Sequence, residues 1–318
     1  MARIIPDRFL LMLFTALCTG WLLPVRGQAL EAAQYIVFAG VFLLFFLHGL
    51  RLPRGEMAKA ARSWRVQAAM AAFVFIAMPL AGWALAVLAS AALPPLLLAG
   101  LIYTAILPST VQSAISYSSI AGGNVAASVI GAALSNLIGI VLTPALAALL
   151  LGAAGVGMDG NIVTKIALML LLPFALGQWA QGIFGTWAVQ LKKLLGFFDK
   201  GVILLAVYIS FSGAVVSGAL LQLDAEIWLA LVLVLALLLL FAFASTMLFG
   251  GLLRLDQADR ISLIFTGAHK SIATGAPMAA ILFGDQAGLI ILPAIAYHMA
   301  QLLISALLAS RLASKAAH

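Results

Sequence analysis

From Phe9 onward the chain is a succession of long apolar runs with short connections, and this pattern limits its fold more than any other feature. Ten runs can be read, at 9–24, 31–50, 66–90, 93–120, 124–151, 161–185, 201–219, 226–250, 257–284 and 286–310. A helix spanning the hydrocarbon of a bilayer needs about 20 mostly apolar residues, and the runs have that length. Of the 318 residues, 65% are hydrophobic and 8% charged, against about 25% charged in soluble domains. So few charges cannot cover a water-facing surface, and the bilayer must be the solvent for most side chains. The expected fold is an all-α polytopic membrane protein of ten transmembrane helices, with no length left for a soluble domain. Arg3 and Arg8 ahead of Phe9–Leu23 resemble a signal peptide. No clear cleavage site follows, and Pro24 and Arg26 come next, so a retained helix is expected. Cys18 is the only cysteine, which rules out a disulfide framework or a cysteine metal site within one chain.

The charges give the orientation. With the N-terminus in the cytoplasm, the inner segments are 1–8, 51–65, 186–200, 251–260 and 311–318, and they hold 14 of the 17 basic residues. The outer side keeps Arg26 and Lys165, beside Glu31, Asp159, Asp224, Glu226 and Asp285. This asymmetry predicts that both termini lie in the cytoplasm, in a cell (inner or plasma) membrane. It also accounts for the net charge of +7 without nucleic acid as a partner. Residues 51–65 are basic and read as a solvated loop, with contact to the inner leaflet as the alternative.

Five helices per half is an odd number, so a duplicated half would insert upside down. The expected halves are 1–155 and 156–318. Pro108-Ser109-Thr110 interrupts segment four, as His269-Lys270-Ser271 interrupts segment nine. Gly123-Asn124 and Gly284-Asp285 close those segments and open the next, and both sets of landmarks are 161 residues apart. A glycine suits the left-handed turn after a helix, and Asn or Asp can cap the following one.

The two interrupted segments carry the unusual chemistry. After Pro108, which removes a backbone donor, segment four holds Ser109, Thr110, Gln112, Ser113, Ser116, Ser118 and Ser119, too polar for a lipid-facing helix. Segment nine holds Lys270 about 13 residues from its start, too deep to reach water. An ammonium at the bilayer centre costs roughly 2.5–3.5 kcal/mol, so Lys270 must meet a cavity, a ligand, or the carbonyls of a broken helix end. Half-helix N-termini carry partial positive charge. Two of them with Lys270 would favour an anion.

The runs LPSTVQSAISYSSIAGGNVAASVIGAALSNLIGIVLTPAL (Leu107–Leu146) and GAHKSIATGAPMA (Gly267–Ala279), with Met78-Pro79-Leu80, resemble the bile acid:sodium symporter (SBF-like) family. Within it they are closest to the member 7-like branch of solute carrier family 10. The resemblance implies two inverted five-helix repeats, a panel of helices 1, 2, 6 and 7, and a core of helices 3–5 and 8–10 in which helices 4 and 9 are broken and cross. It implies an organic-anion substrate moved by alternating access. In the sodium-coupled members a glutamate and a glutamine serve as ion ligands where this chain has Lys270 and Thr274. A third-helix glutamine falls at about Val74, and a Ser-Asn pair at about Ala114-Ile115. Ser128 is matched, but the threonine after it becomes Ala132. Lysine offers only donors, so sodium at these sites is not expected. Either Lys270 stands in for the ion as a fixed charge, or it titrates with His269 and couples transport to protons.

The expected site is therefore Ser109, Thr110, Gln112 and Ser113 facing His269, Lys270, Ser271 and Thr274, with Ser128, Asn136 and His298 contributing. Pro108, Gly123, Asn124, Gly284 and Asp285 set the breaks and caps. Ser135, Tyr297 and Gln301 are further mid-helix polar residues. No cofactor, metal site or enzyme constellation is expected, as the four histidines have no ligand spacing. The expected function is secondary transport of a small organic anion. A proton-coupled cation antiporter of similar fold and a transport-inactive regulatory protein are the rivals. Substrate identity, coupling ion, and monomer or homodimer stay open.

Overall fold

The computed structural model describes residues 8–51, 63–153 and 167–316, and it is helical almost throughout. The expected inner segment 51–65, the boundary between halves at 155 and 156, and the start of segment six lie largely outside the described residues. The helices are α1 (Arg8–Leu22), α2 (Gln28–Arg51), α3 (Trp64–Leu88), α4 (Pro95–Ile106), α5 (Gln112–Ile120), α6 (Val125–Ala153), α7 (Ala167–Gln190), α8 (Lys192–Val216), α9 (Ala225–Leu252), α10 (Gln257–Ala268), α11 (Ile272–Phe283) and α12 (Ala287–Ala316). Among the described residues seven helical stretches are long and apolar enough to cross a membrane, the last of them, Gln257–Ser314, holding α10 to α12. On α9, Leu229, Val232, Leu233, Leu237 and Leu240 are exposed while Leu231, Leu235 and Leu238 are buried. A helix apolar on every side has nothing to gain from water on its outer face.

The chain forms two compact units. The first gathers the described parts of 1–54, 155–224 and 275–291: α1, α2, α7, α8 and the turn from α11 into α12. In it α2 and α7 pack backbone to backbone. A Cβ on Gly49 would lie 2.2 Å from the Phe174 carbonyl oxygen, and one on Gly177 would lie 2.0 Å from that of Phe46. Only glycine permits this approach. Leu47, Leu50, Ala180, Ala188 and Leu195 fill the joint. At its end the Arg51 guanidinium donates to both Asp199 carboxylate oxygens at 2.8 Å. The second unit gathers α3 to α6, α9, α10 and most of α12, with 63–153, 225–274 and 292–316.

Two expectations are corrected. Segment seven begins at Lys192, not 201, and only Leu191 separates it from α7. Lys192, Lys193 and Lys200 suggested a loop, but Leu194, Leu195, Phe197 and Phe198 between them keep a helical stripe, so the charges ride on a helix end. The left-handed turn after α5 is at Gly122 (φ 77°), not Gly123. Gly123 is held by crowding: a Cβ there would lie 2.4 Å from Ser118 Oγ.

Candidate functional site

Both breaks fall within the second unit. Leu107 precedes proline, which disfavours the helical conformation, and it is extended (φ −64°, ψ 148°), as is His269 at the end of α10 (φ −78°, ψ 142°). Each break frees backbone groups that a membrane interior cannot leave bare. The structure pairs many of them individually. The Ile106 carbonyl accepts from Thr143 Oγ1 (2.9 Å) and that of Ser109 from Asn136 Nδ2 (2.8 Å), while Ser109 N donates to Ser135 Oγ (2.9 Å). The Ala268 carbonyl accepts from the Tyr297 hydroxyl (2.8 Å). Lys270 N donates to Gln301 Oε1 (2.7 Å), and Gln301 Nε2 returns a bond to the Lys270 carbonyl (3.0 Å). The two breaks are joined directly by Ser271 N donating to the Pro108 carbonyl at 2.8 Å.

The Lys270 ammonium sits at this joint, 1% exposed. It donates to the Leu107 carbonyl at 2.9 Å and to that of Val74 at 3.2 Å. The Val74 acceptor has a local cause. Residues Phe73–Ala77 form a π turn in which Met78 N donates to Phe73 O. The π partner of Val74 O is therefore the nitrogen of Pro79, which has no hydrogen. A proline and a π turn leave one carbonyl of α3 free, and Lys270 takes it. No aspartate or glutamate is buried among the described residues. Among the described residues Lys270 Nζ is held by backbone oxygens alone, the ligand type a bare monovalent cation would use.

Beside it, His269 is fully buried. Its Nε2 lies 2.7 Å from Ser305 Oγ, and its Nδ1 lies 3.0 and 3.1 Å from Thr110 Oγ1 and Ser113 Oγ. The edges of Tyr117, Phe243 and Phe265 surround the ring. Thr274 donates from Oγ1 to Asn136 Oδ1 at 2.7 Å, and its N–H lies 3.3 Å from Ser271 Oγ, which caps the start of α11. His298 Nδ1 is 3.1 Å from the Lys270 carbonyl.

The sequence pattern of the SBF-like CPA transporter family matches residues 7–314. The chain belongs to that family. An uncharacterized protein of Pseudomonas aeruginosa is 38% identical over 98% of this chain and 95% of its own length. YfeH of Escherichia coli K12, whose name marks it as a candidate symporter, is 37% identical over 96% of this chain and 92% of its own. Sodium/bile acid cotransporter 7-A of Xenopus laevis is 28% identical over 89% of this chain and 84% of its own. The resemblance carried by Leu107–Leu146 and Gly267–Ala279 is thus confirmed, and the chain is a multi-pass membrane protein of a transporter family.

In this SBF-like chain the structure brings together Pro108, Ser109, Thr110, Ser113, Asn136, His269, Lys270, Ser271, Thr274 and His298. It places others elsewhere. Gln112 is exposed at the start of α5. Ser128 donates to Ser118 Oγ (2.9 Å), which meets Ser262 Oγ (3.0 Å), a separate hydroxyl chain. Asn124 caps α6, its Oδ1 accepting from Ala127 N at 3.0 Å, and its Nδ2 donates to Asp259 Oδ1 at 2.8 Å. Gly284 takes a positive φ of 51°, and Asp285 Oδ1 accepts from Gln34 Nε2 at 3.0 Å in the first unit. Sequence reasoning did not assign to the site Gln301, Ser305, Ser135, Thr143, or the Val74 carbonyl. Gln301 and Ser305 continue from His298 at helical spacing, which was the available signal.

Proposed function

We propose that the protein is a secondary transporter of a small organic anion, working by alternating access without the family's usual sodium sites. Lys270 serves as a resident cation. The observation that carries this reading is the Lys270 ammonium donating to the Val74 and Leu107 carbonyls at the joint of the two breaks. A tethered charge there does what a coupling ion would do: it neutralises convergent carbonyl dipoles and leaves a positive potential toward the N-terminus of α5. Half-buried Ser113 and exposed Gln112 stand at that N-terminus, where an anion's oxygens would find unpaired N–H groups and hydroxyls. The lack of a buried carboxylate among the described residues disfavours the cation antiporter, which would set its lysine against an aspartate.

The same reading includes ten crossings in two inverted repeats, both termini in the cytoplasm, and lipid around the apolar faces. The helix bounds support the repeat. Shifted by 161, α3 to α6 (64–88, 95–106, 112–120, 125–153) fall at 225–249, 256–267, 273–281 and 286–314, within three residues of the bounds of α9 to α12. The relatives named as symporter and sodium/bile acid cotransporter support the substrate class.

The test is uptake of organic-anion probes by proteoliposomes with and without a sodium gradient. Uptake should persist without sodium and fall by about tenfold or more in Lys270→Ala, a loss of ~1.4 kcal/mol. Strict dependence on sodium, or unchanged uptake in Lys270→Ala, overturns it.

A further inference from the structure

The first unit contains a cavity of about 230 Å³ that the transport reading does not use. It is lined from α2 by Gln34 and Phe38, from α8 by Ser210 and Gly213, and by Asp285 in the turn Gly284–Gln286 between α11 and α12. Gln34 lies early in α2, Gly213 late in α8, and Asp285 in a connection. The cavity therefore sits toward helix ends, where small solutes have access from water.

Its chemistry is that of a site for a cation with an apolar body. Gln34 Nε2 donates to Oδ1 of the exposed Asp285 at 3.0 Å, and the second carboxylate oxygen is left for a ligand. Among the described residues none of those lining the cavity is basic, and no basic side chain pairs with Asp285. Ser210, 7% exposed, adds a hydroxyl inside. The remaining wall is apolar, with the Phe38 ring and Val37, Ala206, Ile209 and Ala280. Asp285, itself exposed, and the half-buried Phe38 ring line the same cavity, and a carboxylate with an aromatic ring is how proteins hold alkylammonium groups, through charge and cation–π attraction together. An anion would be repelled, so this is not the transported solute's site.

We propose that this cavity binds a small alkylammonium ion, with Asp285 as counter-charge and Phe38 as the ring against its methyl groups. Bound there, the ion ties the α11–α12 turn to α2 and α8, so its occupancy stabilises the first unit.

The experiment is thermal unfolding of the purified full chain in detergent, titrated with tetramethylammonium chloride. Sodium chloride at equal ionic strength and neopentyl alcohol, an uncharged compound of similar shape, are the controls. The expected result is a saturable rise in Tm with tetramethylammonium alone, abolished in Asp285→Asn. Gly213→Leu should abolish it as well while keeping the carboxylate. A Cβ at Gly213 meets nothing nearer than the Asp285 carbonyl oxygen at 3.9 Å, so the added side chain can grow into the cavity without distorting the helix. No saturable rise, an equal rise with either control, or a rise that survives in both variants overturns the proposal. The readout does not depend on transport, so it stands or falls separately from the reading of Lys270.

Discussion

Lys270 and Pro79 lie far apart in sequence and meet at one carbonyl. Removing the ammonium leaves the Val74 and Leu107 oxygens without their donor. A buried polar group deprived of its partner costs about 1–3 kcal/mol. Lys270→Met is therefore expected to lower stability by roughly 2–4 kcal/mol, measured as a shift in the denaturation midpoint in detergent. Pro79→Ala restores an N–H at the position from which Val74 O lacks one. In that background the same lysine substitution should cost about 1 kcal/mol less. Strict additivity of the two changes would show that the shared carbonyl is not what couples them. Sequence made the lysine conspicuous, because a charge inside an apolar run needs a reason. It could not show the partner, since main-chain oxygens have no letter of their own and Val74 reads as an ordinary apolar residue.

At the scale of elements, the close pair α2 and α7 depends on glycine at both contact points. Gly49→Ala or Gly177→Ala would drive a methyl group into a carbonyl oxygen on the opposite helix. Overpacking of this kind costs about 1–3 kcal/mol. The expected outcome is a lower unfolding midpoint, with deuterium uptake rising first in α2 and α7. An exchange pattern unchanged there would refute the packing argument. The apolar runs gave most helix bounds to within a few residues, because hydrophobic length is a strong signal. They failed at α8, where lysines on a helix emerging from the membrane looked like a loop, and at Gly122-Gly123, where two adjacent glycines serve different needs. The break in segment four was legible through Pro108. The break in segment nine has no proline, and only its polar residues betrayed it.

For the whole molecule, the proposed ten crossings, being an even number, would place both termini on one side of the membrane. With Cys18 replaced by serine, a single cysteine introduced at Ala2 or at Ser314 should react with a membrane-impermeant thiol reagent only in inside-out vesicles. Labelling of just one of them in right-side-out vesicles would remove the ten-crossing reading, and labelling of both there would overturn the orientation. The contact between Ser271 N and the Pro108 carbonyl has a wider consequence. It is made of main chain on both sides, so no exchange of side chains can delete it, short of proline at 271. Polar side chains around the joint could therefore change, one hydroxyl for another, while the main-chain contact that presents them endures. Diversity of cargo across such proteins would then require no invention of new scaffolding, only new occupants of positions that the backbone already holds open.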